Sequence, residues 1–387
     1  MLQKQILHNA ASYVKPGGIL IYSTCTITSE ENQSNVAWFT ENYPFILESL
    51  DPYLCEELHS ETTAQGWLQL LPGVHKTDGF FLARMRKKLT EQEPLTHLEV
   101  VEVQTSKIDG TQKYLFRLAD GNVIESVWMR YKHGNSVCIS SQVGCRMGCR
   151  FCASTIGGLT RNLLPSEMLD QVYRIQELTG ERVSNVVVMG TGEPLDNYDN
   201  LIRFIRILCD EKGQNISQRN LTVSTCGLVP RIRQLAEEDL TITLALSLHA
   251  PNDEKRKELM PIAYKYSLSE VLPACKYYFE KTGRRLTFEY SLVGGKNDSQ
   301  EDARQLAGLV HGLNCHINLI PVNPIKERNF VQSDKKVIEN FKNKLEKYRI
   351  NVTIRREMGR DIDGACGQLR KKYSDRQENT IKDSAEE

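Results

Sequence analysis

Ser136-Val-Cys-Ile-Ser-Ser-Gln-Val-Gly-Cys145-Arg-Met-Gly-Cys149-Arg-Phe-Cys152-Ala-Ser-Thr-Ile-Gly-Gly158 decides the reading of this 387-residue chain. Its apolar first half reads as a buried strand. Three thiols follow, with three and then two residues between them. On one loop they can converge on a single metal centre. Three thiolates on a cubane cluster leave one iron without a protein ligand, open to a substrate chelate. A closed zinc site normally has four ligands, often as two CxxC pairs. No second pair lies nearby, and only His133 offers itself as a fourth ligand. Three unrelated thiols are the remaining reading; the spacing favours iron–sulfur.

Outward from that loop, apolar strands alternate with amphipathic helices. SVCISSQV, SNVVVMG, NLTVST, TITLALSLH, RLTFEYSLVG, HINLIPV and INVTIRR read as strands. Between them, Val337, Ile338, Phe341 and Leu345 mark one helical face, with Ser333 as its N-cap. Ala303, Leu306, Ala307 and Val310 mark another. The pattern predicts an α/β fold with a parallel sheet closing into a partial (β/α) barrel over residues 136–373, its chemistry at the carboxyl ends of the strands. Upstream, EVVEVQT, QKYLFRLA and NVIESVWM, hinged at Asp120-Gly121-Asn122, predict a small antiparallel β unit at 98–135. RKKLTEQEPLTH carries a charged linker at 89–97. Residues 1–88 read as a truncated α/β fragment, in which GGILIYSTCT and GFFLARM are strands and QSNVAWFTENY is a helix. The polar residues 374–387 are expected to be disordered.

Composition narrows the function classes. With 40% hydrophobic and 25% charged residues the chain can build a sizeable core. No apolar run is long enough for a membrane span, and no secretory leader is evident at the start. Eleven cysteines, an odd number in a long chain, do not describe a disulfide scaffold, and a reducing cytoplasm is expected. The 49 basic and 49 acidic side chains cancel; residues 1–88 hold 7 and 9 of them. A nucleic-acid substrate would therefore need a local basic patch.

The C-x3-C-x2-C loop resembles the signature of radical S-adenosylmethionine enzymes. Its surroundings, with VVVMGTGEPLDNYDN, VSTCGLVP, SLHAPND, LIPVNP and GRDIDGACGQL, resemble the RlmN/Cfr family of rRNA adenine methyltransferases over residues 98–373. That resemblance implies a 4Fe-4S cluster on Cys145, Cys149 and Cys152. It implies S-adenosylmethionine held by Gly192, Glu193, Ser224, Ser247, Leu248, His249 and Asn323, all at or just past strand ends. It further implies a catalytic pair, Cys138 and Cys366, and Glu125 as general base. Taken alone, Cys138 would be a small core residue, Glu125 a solvent-face residue, and Ser224 or Asn323 a turn cap.

The family's mechanism uses two S-adenosylmethionine molecules per turnover. One methylates the thiol matching Cys366. The other, reduced through the cluster by a flavodoxin-type donor, yields the radical that activates this methyl for attack on adenine. Glu125 would then remove the ring proton, and Cys138 would release the product by forming a transient disulfide with Cys366. GTGEP and LIPVNP resemble the RlmN branch, which implies carbon-2 methylation in 23S rRNA, and in tRNA, by a monomer. Thr191 is a tolerated variation of that motif. Carbon-8 methylation of the Cfr type is the alternative. RlmN-like enzymes usually begin with a helical RNA-binding domain. Here residues 1–88 instead resemble the C-terminal end of RsmB-like 16S rRNA cytosine-5 methyltransferases, through Ser23-Thr24-Cys25-Thr26 and LLPGVHKTDGFFLAR. Cys25 matches the nucleophile of that family, but its glycine-rich cofactor loop and Pro-Cys motif are missing, so no cytosine methylation is expected. An inactive RNA-binding fusion is a further alternative.

Overall fold

The computed structural model describes residues 2–14, 17–88, 98–132, 134–323 and 328–386; the expected linker 89–97 and His133 lie outside the described residues. The chain divides into two compact units, Met1–Leu95 and Thr96–Glu387.

The first unit runs α1 (Leu2–Tyr13), β1 (Ile19–Thr24), α2 (Gln33–Asn42), β2 (Phe45–Leu47), α3 (Glu61–Gln65), β3 (Trp67–Leu70) and β4 (Phe80–Lys87). β4 is its hub, pairing antiparallel with β1, β2 and β3. β1, α2 and β4 fall on the segments that the sequence marks as strand, helix and strand. Leu7 and Ala11, one helical turn apart, turn α1 into the same small core as Phe39, Phe45, Phe81 and Met85.

In the second unit, β5 (Glu99–Thr105), β6 (Gln112–Arg117) and β7 (Val123–Tyr131) lead into β8 (Gly134–Cys138), and a hairpin of β9 (Gln142–Gly144) and β10 (Leu159–Asn162) follows. Alternation then sets in: α4 (Pro165–Thr179), β11 (Val183–Val188), α5 (Tyr198–Cys209), β12 (Leu221–Thr225), α6 (Val229–Ala236), β13 (Thr243–Ser247), α7 (Asp253–Leu259), α8 (Leu268–Thr282), β14 (Leu286–Leu292), α9 (Gln300–Leu309), β15 (Cys315–Pro321), α10 (Lys335–Lys347), β16 (Val352–Ile354) and α11 (Gln368–Glu386). All seven strands read from apolar runs are present, as β8 and β11 to β16. They pair in parallel, in the order β16-β15-β14-β13-β12-β11-β8. Among the described residues β16 and β8 do not pair with each other, so the barrel is partial.

Three local expectations change. The antiparallel strands are not a separate body, because β7 hydrogen-bonds to β8 and extends the parallel sheet to ten strands. Their hinge is as expected: Gly121 has φ +83°, and the Asp120 carboxylate accepts the Asn122 amide at 3.0 Å. The N-cap of α10 is Asp334, which accepts the Lys336 amide at 2.8 Å; the Ser333 hydroxyl is instead spent on Asp298. The polar tail expected to lack structure continues as α11, whose first turns pack Leu369 against Leu115 and Val123. No helix among the described residues is long and apolar enough to cross a membrane.

The two cores are separate, which gives a test. Phe39 is fully buried in the first, and Phe39→Ala should cost about 3–5 kcal/mol there. Peptide-resolved hydrogen exchange should show protection falling in β1 and β4 while β11 to β15 keep theirs.

Candidate active site

Cys138 ends β8. Its backbone pairs with Val127 of β7 on one side and with Val187 of β11 on the other. The cysteine loop then hangs between β9 and β10, closed at its base where the Cys145 amide donates to the Gly158 carbonyl at 2.9 Å. Gly144 makes this closure possible: a Cβ there would stand 2.0 Å from the Gly158 oxygen. Within the loop, the Thr155 hydroxyl bonds the carbonyls of Cys149 and Cys152. Phe151 packs edge-on against His249, with ring centroids 4.9 Å apart. That contact draws the loop to the end of β13.

Burial raises all three loop thiols, Cys145 to about 12. The charges of Cys152 and Cys145 push Cys149 up further, and that of Cys366 pushes Cys152. Among the described residues, no three ligand-type side chains stand already gathered as a metal site. The donor set nevertheless fits a cluster. Three mutually repelling, desolvated thiols on one loop are stabilised as thiolates only by a nearby cation such as iron.

Past β11 the chain turns back over the loop that follows β8. Gly192 has φ +113°, and a Cβ on it would meet Gln142 Cβ at 2.7 Å and Ser141 Oγ at 2.8 Å. Glu193 is buried. Its carboxylate accepts the amides of Leu195 at 3.1 Å and Cys226 at 2.8 Å, and its own amide donates to Gln142 Oε1 at 2.8 Å. Burial raises this carboxyl. Beside it, the buried hydroxyls of Ser141 and Thr191 have no partner among the described residues. A glycine cradle, a desolvated carboxylate and two unspent hydroxyls suit a polar, cationic ligand.

The second thiol pair lies at the mouth of the sheet. Cys138 is buried and Cys366 half-buried. A hydrogen bond from Cys138 pulls Cys366 down to about 7, against burial and with help from Lys113 and Arg355; Cys138 moves well above its ordinary value. Cys366 Sγ also reaches the Met189 carbonyl at 3.3 Å. Gly367 lets this segment approach the cysteine loop, since a Cβ there would stand 2.7 Å from the Ser154 nitrogen. A cavity of about 430 Å³ opens here, lined by Cys138, Cys152, Cys366, Asn323 and Arg355. That size suits a small-molecule site.

The Radical SAM superfamily profile matches residues 139–309, and that of the 16S rRNA methyltransferases RsmB/F matches residues 1–86. A probable dual-specificity RNA methyltransferase RlmN of Lachnospira eligens is 70% identical over 289 residues, covering 75% of this chain and 83% of that one. Its counterpart in Clostridium perfringens is 53% identical over 336 residues, covering 85% and 96%. The crystal structure of a radical SAM methyltransferase from Sphaerobacter thermophilus superposes with a TM-score of 0.68 at 46% identity, covering 71% of this chain and 82% of that one. The chain belongs to the RlmN family of radical SAM RNA methyltransferases.

Membership in the radical SAM superfamily brings S-adenosylmethionine and a 4Fe-4S cluster. In this RlmN-type chain Ser224 and Ser247 face each other across neighbouring strands, their hydroxyls 3.4 Å apart. Leu248 and His249 are buried. His249 holds φ +55°, accepts the Ser291 amide on Nδ1 at 2.9 Å, and is driven to about 3 by burial and by Arg256. Asn323 is exposed at the cavity rim. Glu125, which alternation alone would turn to solvent, is 3% exposed and bonded to the segment after Cys366. Cys25 is exposed and belongs to the other unit.

Three residues escaped the sequence reading. Arg256, fully buried, bridges the carbonyls of Cys226 and Leu248 and so ties the ends of β12 and β13. Arg355 lines the cavity, and Lys113 lies buried under Cys366. Each is a charge within an otherwise apolar or regular stretch, a signal visible in the sequence but common on solvated faces.

The Cys366 thiol is testable by pH. Because its folded value is depressed to about 7, the reactive thiolate is present above that pH and lost below it. Iodoacetamide labelling of Cys366 should rise with a midpoint near pH 7, and Cys138→Ala, which removes the donor, should move that midpoint upward. An unchanged midpoint in that variant would remove the Cys138 hydrogen bond as the cause.

Proposed function

We propose that the chain methylates carbon-2 of an adenine in 23S rRNA, and in tRNA, by way of a methyl group carried on Cys366. One observation carries the reading. A thiol pair, separate from the cysteine loop, lines one cavity together with Cys152, and the hydrogen bond from Cys138 lowers the Cys366 thiol. The curated relatives named for dual specificity favour both RNA classes as substrates.

Bound at Cys145, Cys149 and Cys152, the cluster together with S-adenosylmethionine supplies the one-electron chemistry that an unactivated aromatic carbon requires. Glu193 and the Ser141 and Thr191 hydroxyls would hold the cationic end of the cofactor, with Ser224, Ser247, His249 and Asn323 lining the neighbouring strand ends. Cys366, ionised near neutral pH, would accept the first methyl group by direct displacement. Glu125 would take the proton from the reacting ring carbon, for which it must release an amide it now holds. Cys138 would then attack the Cys366 sulfur and close a disulfide as the sulfur–methylene bond to the product breaks, and the freed methylene takes up a proton to become the product's methyl group. Two molecules of S-adenosylmethionine are consumed, with an electron from a flavodoxin-type donor. Cys25 is assigned no part.

Anaerobic cluster reconstitution, followed by incubation with 23S rRNA, cofactor and reductant, tests this. Nucleoside mass spectrometry should find 2-methyladenosine. An 8-methyladenosine product would reassign the chain to Cfr-like chemistry, and RNA binding without product would favour a non-catalytic role. Cys366→Ala should abolish the product while leaving the cluster absorbance intact; turnover by that variant would sink the methyl-carrier assignment.

A further inference from the structure

We propose that Lys113 is a positioning residue whose ammonium, with Glu125, clamps segment 363–370 onto β6 and β7 and so holds the Cys366 thiol against Cys138. The Lys113 side chain is wholly buried. Nζ donates to the carbonyls of Asp363 and Ala365, both at 2.6 Å, and lies 3.1 Å from Glu125 Oε2. An ammonium carries three donors, and all three are spent. The Glu125 carboxylate in turn accepts the amides of Gly367 and Arg370, both at 2.6 Å. The four anchored backbone positions, 363, 365, 367 and 370, bracket Cys366.

The chemistry explains why a lysine stands there. Two carbonyls of one tight segment point at the same buried spot, and only a group with several donors satisfies both. As a stability device the arrangement is poor, since packed apolar groups often match or better a buried ion pair. As a positioning device it reaches a segment 250 residues away in sequence. A second grip lies further out. Gln104 accepts the Asp363 amide at 3.0 Å and donates to the Asp363 carboxylate at 3.2 Å, and Asp361 accepts the Lys107 amide at 2.7 Å. The antiparallel extension β5 to β7 is thus the seat of the reactive thiol.

This inference rests on the reading of Cys366 as methyl carrier, but its test does not. The full chain with its cluster is equilibrated anaerobically in glutathione buffers. Two protein thiols and one oxidised glutathione give the Cys138–Cys366 disulfide and two reduced glutathiones. Peptide mass spectrometry after acid quenching reads the fraction closed. Lys113→Met should need a buffer about 10-fold or more oxidising to close the same fraction, because a displaced thiol loses effective concentration. Its kcat should fall by about 10-fold or more, with KM for RNA and the cluster absorbance unchanged. Gln104→Leu should shift the equilibrium less, in the same direction. An equilibrium within twofold of the parent's in Lys113→Met overturns the proposal. Should that variant not fold, Lys113→Met combined with Glu125→Gln, which pairs off the buried charges, is read by the disulfide equilibrium alone, because Glu125→Gln also removes the proposed base. A shifted equilibrium in a chain that makes no methylated adenine would overturn the function reading and leave the clamp standing.

Discussion

β8 is the strand on which the catalytic unit depends, because it is antiparallel to one neighbour and parallel to the other. A parallel sheet sends its chemistry to the carboxyl ends of its strands. An antiparallel neighbour runs the opposite way, so the start of β7 lies beside the end of β8. Glu125, near the start of β7, therefore comes to the same place as Cys138, at the end of β8. Neither arrangement alone would bring a carboxylate from an earlier strand and the cysteine loop after a later one around a single point. Every other element of the site is placed relative to this junction. β11 delivers Met189 and Gly192, and β13 delivers His249 onto Phe151. The segment before α11 delivers Cys366.

Such a site gathers ionisable groups in a desolvated space, and backbone polar groups meet much of the cost. Glu193 is held by two amides and Glu125 by two more, with Lys113 alongside. Arg256 is wrapped by carbonyls. Ordinarily a buried charge is expensive unless it is paired and hydrogen-bonded. Here four of them survive because strand ends and tight turns expose unpaired amides and carbonyls. The same strand ends leave the Ser141 and Thr191 hydroxyls without a partner among the described residues. The thiols follow a different rule. Burial outweighs the hydrogen bonds that Cys145 and Cys152 receive and raises all three loop thiols, whereas a thiol donor and nearby cations lower Cys366. Four thiols of one chemical kind are thus set apart by their surroundings.

Much of this was legible in the sequence. Apolar-rich stretches of six to ten residues marked the parallel strands, since strands buried on both faces need no alternation. The spacing of Cys145, Cys149 and Cys152 marked the loop. Glu125 and Lys113 were not legible from periodicity, and the reason is physical. Alternation assigns one face of an antiparallel strand to water, but β6 and β7 are buried on both faces, with burial extending through Glu125 and Ser126. The second cover is the C-terminal segment from Gly359 onward, a contact between residues more than 240 positions apart that no local pattern encodes. The N-cap of α10 failed at shorter range. Ser333 and Asp334 are both good caps, and the choice fell to Asp334 because Asp298 claims the serine hydroxyl.

The first unit shows how little a matching motif carries without its surroundings. Residues 1–86 match the RsmB/F profile, and Cys25 stands at a strand end, as a nucleophile should. A nucleophilic thiol needs a partner that lowers its pKa or takes its proton, and a bound electrophile held at reach. β1 ends into a loop stitched by Asn32, whose amide donates to the Thr26 carbonyl and to Gln69. Those bonds order the turn, yet they bring no base to Cys25, which stays exposed. β4, the hub of this sheet, is antiparallel to all three of its partners, so the unit has none of the parallel strand ends at which the second unit assembles its site. The second unit, by contrast, brings parallel strand ends, the cysteine loop and the segment carrying Cys366 to one cavity.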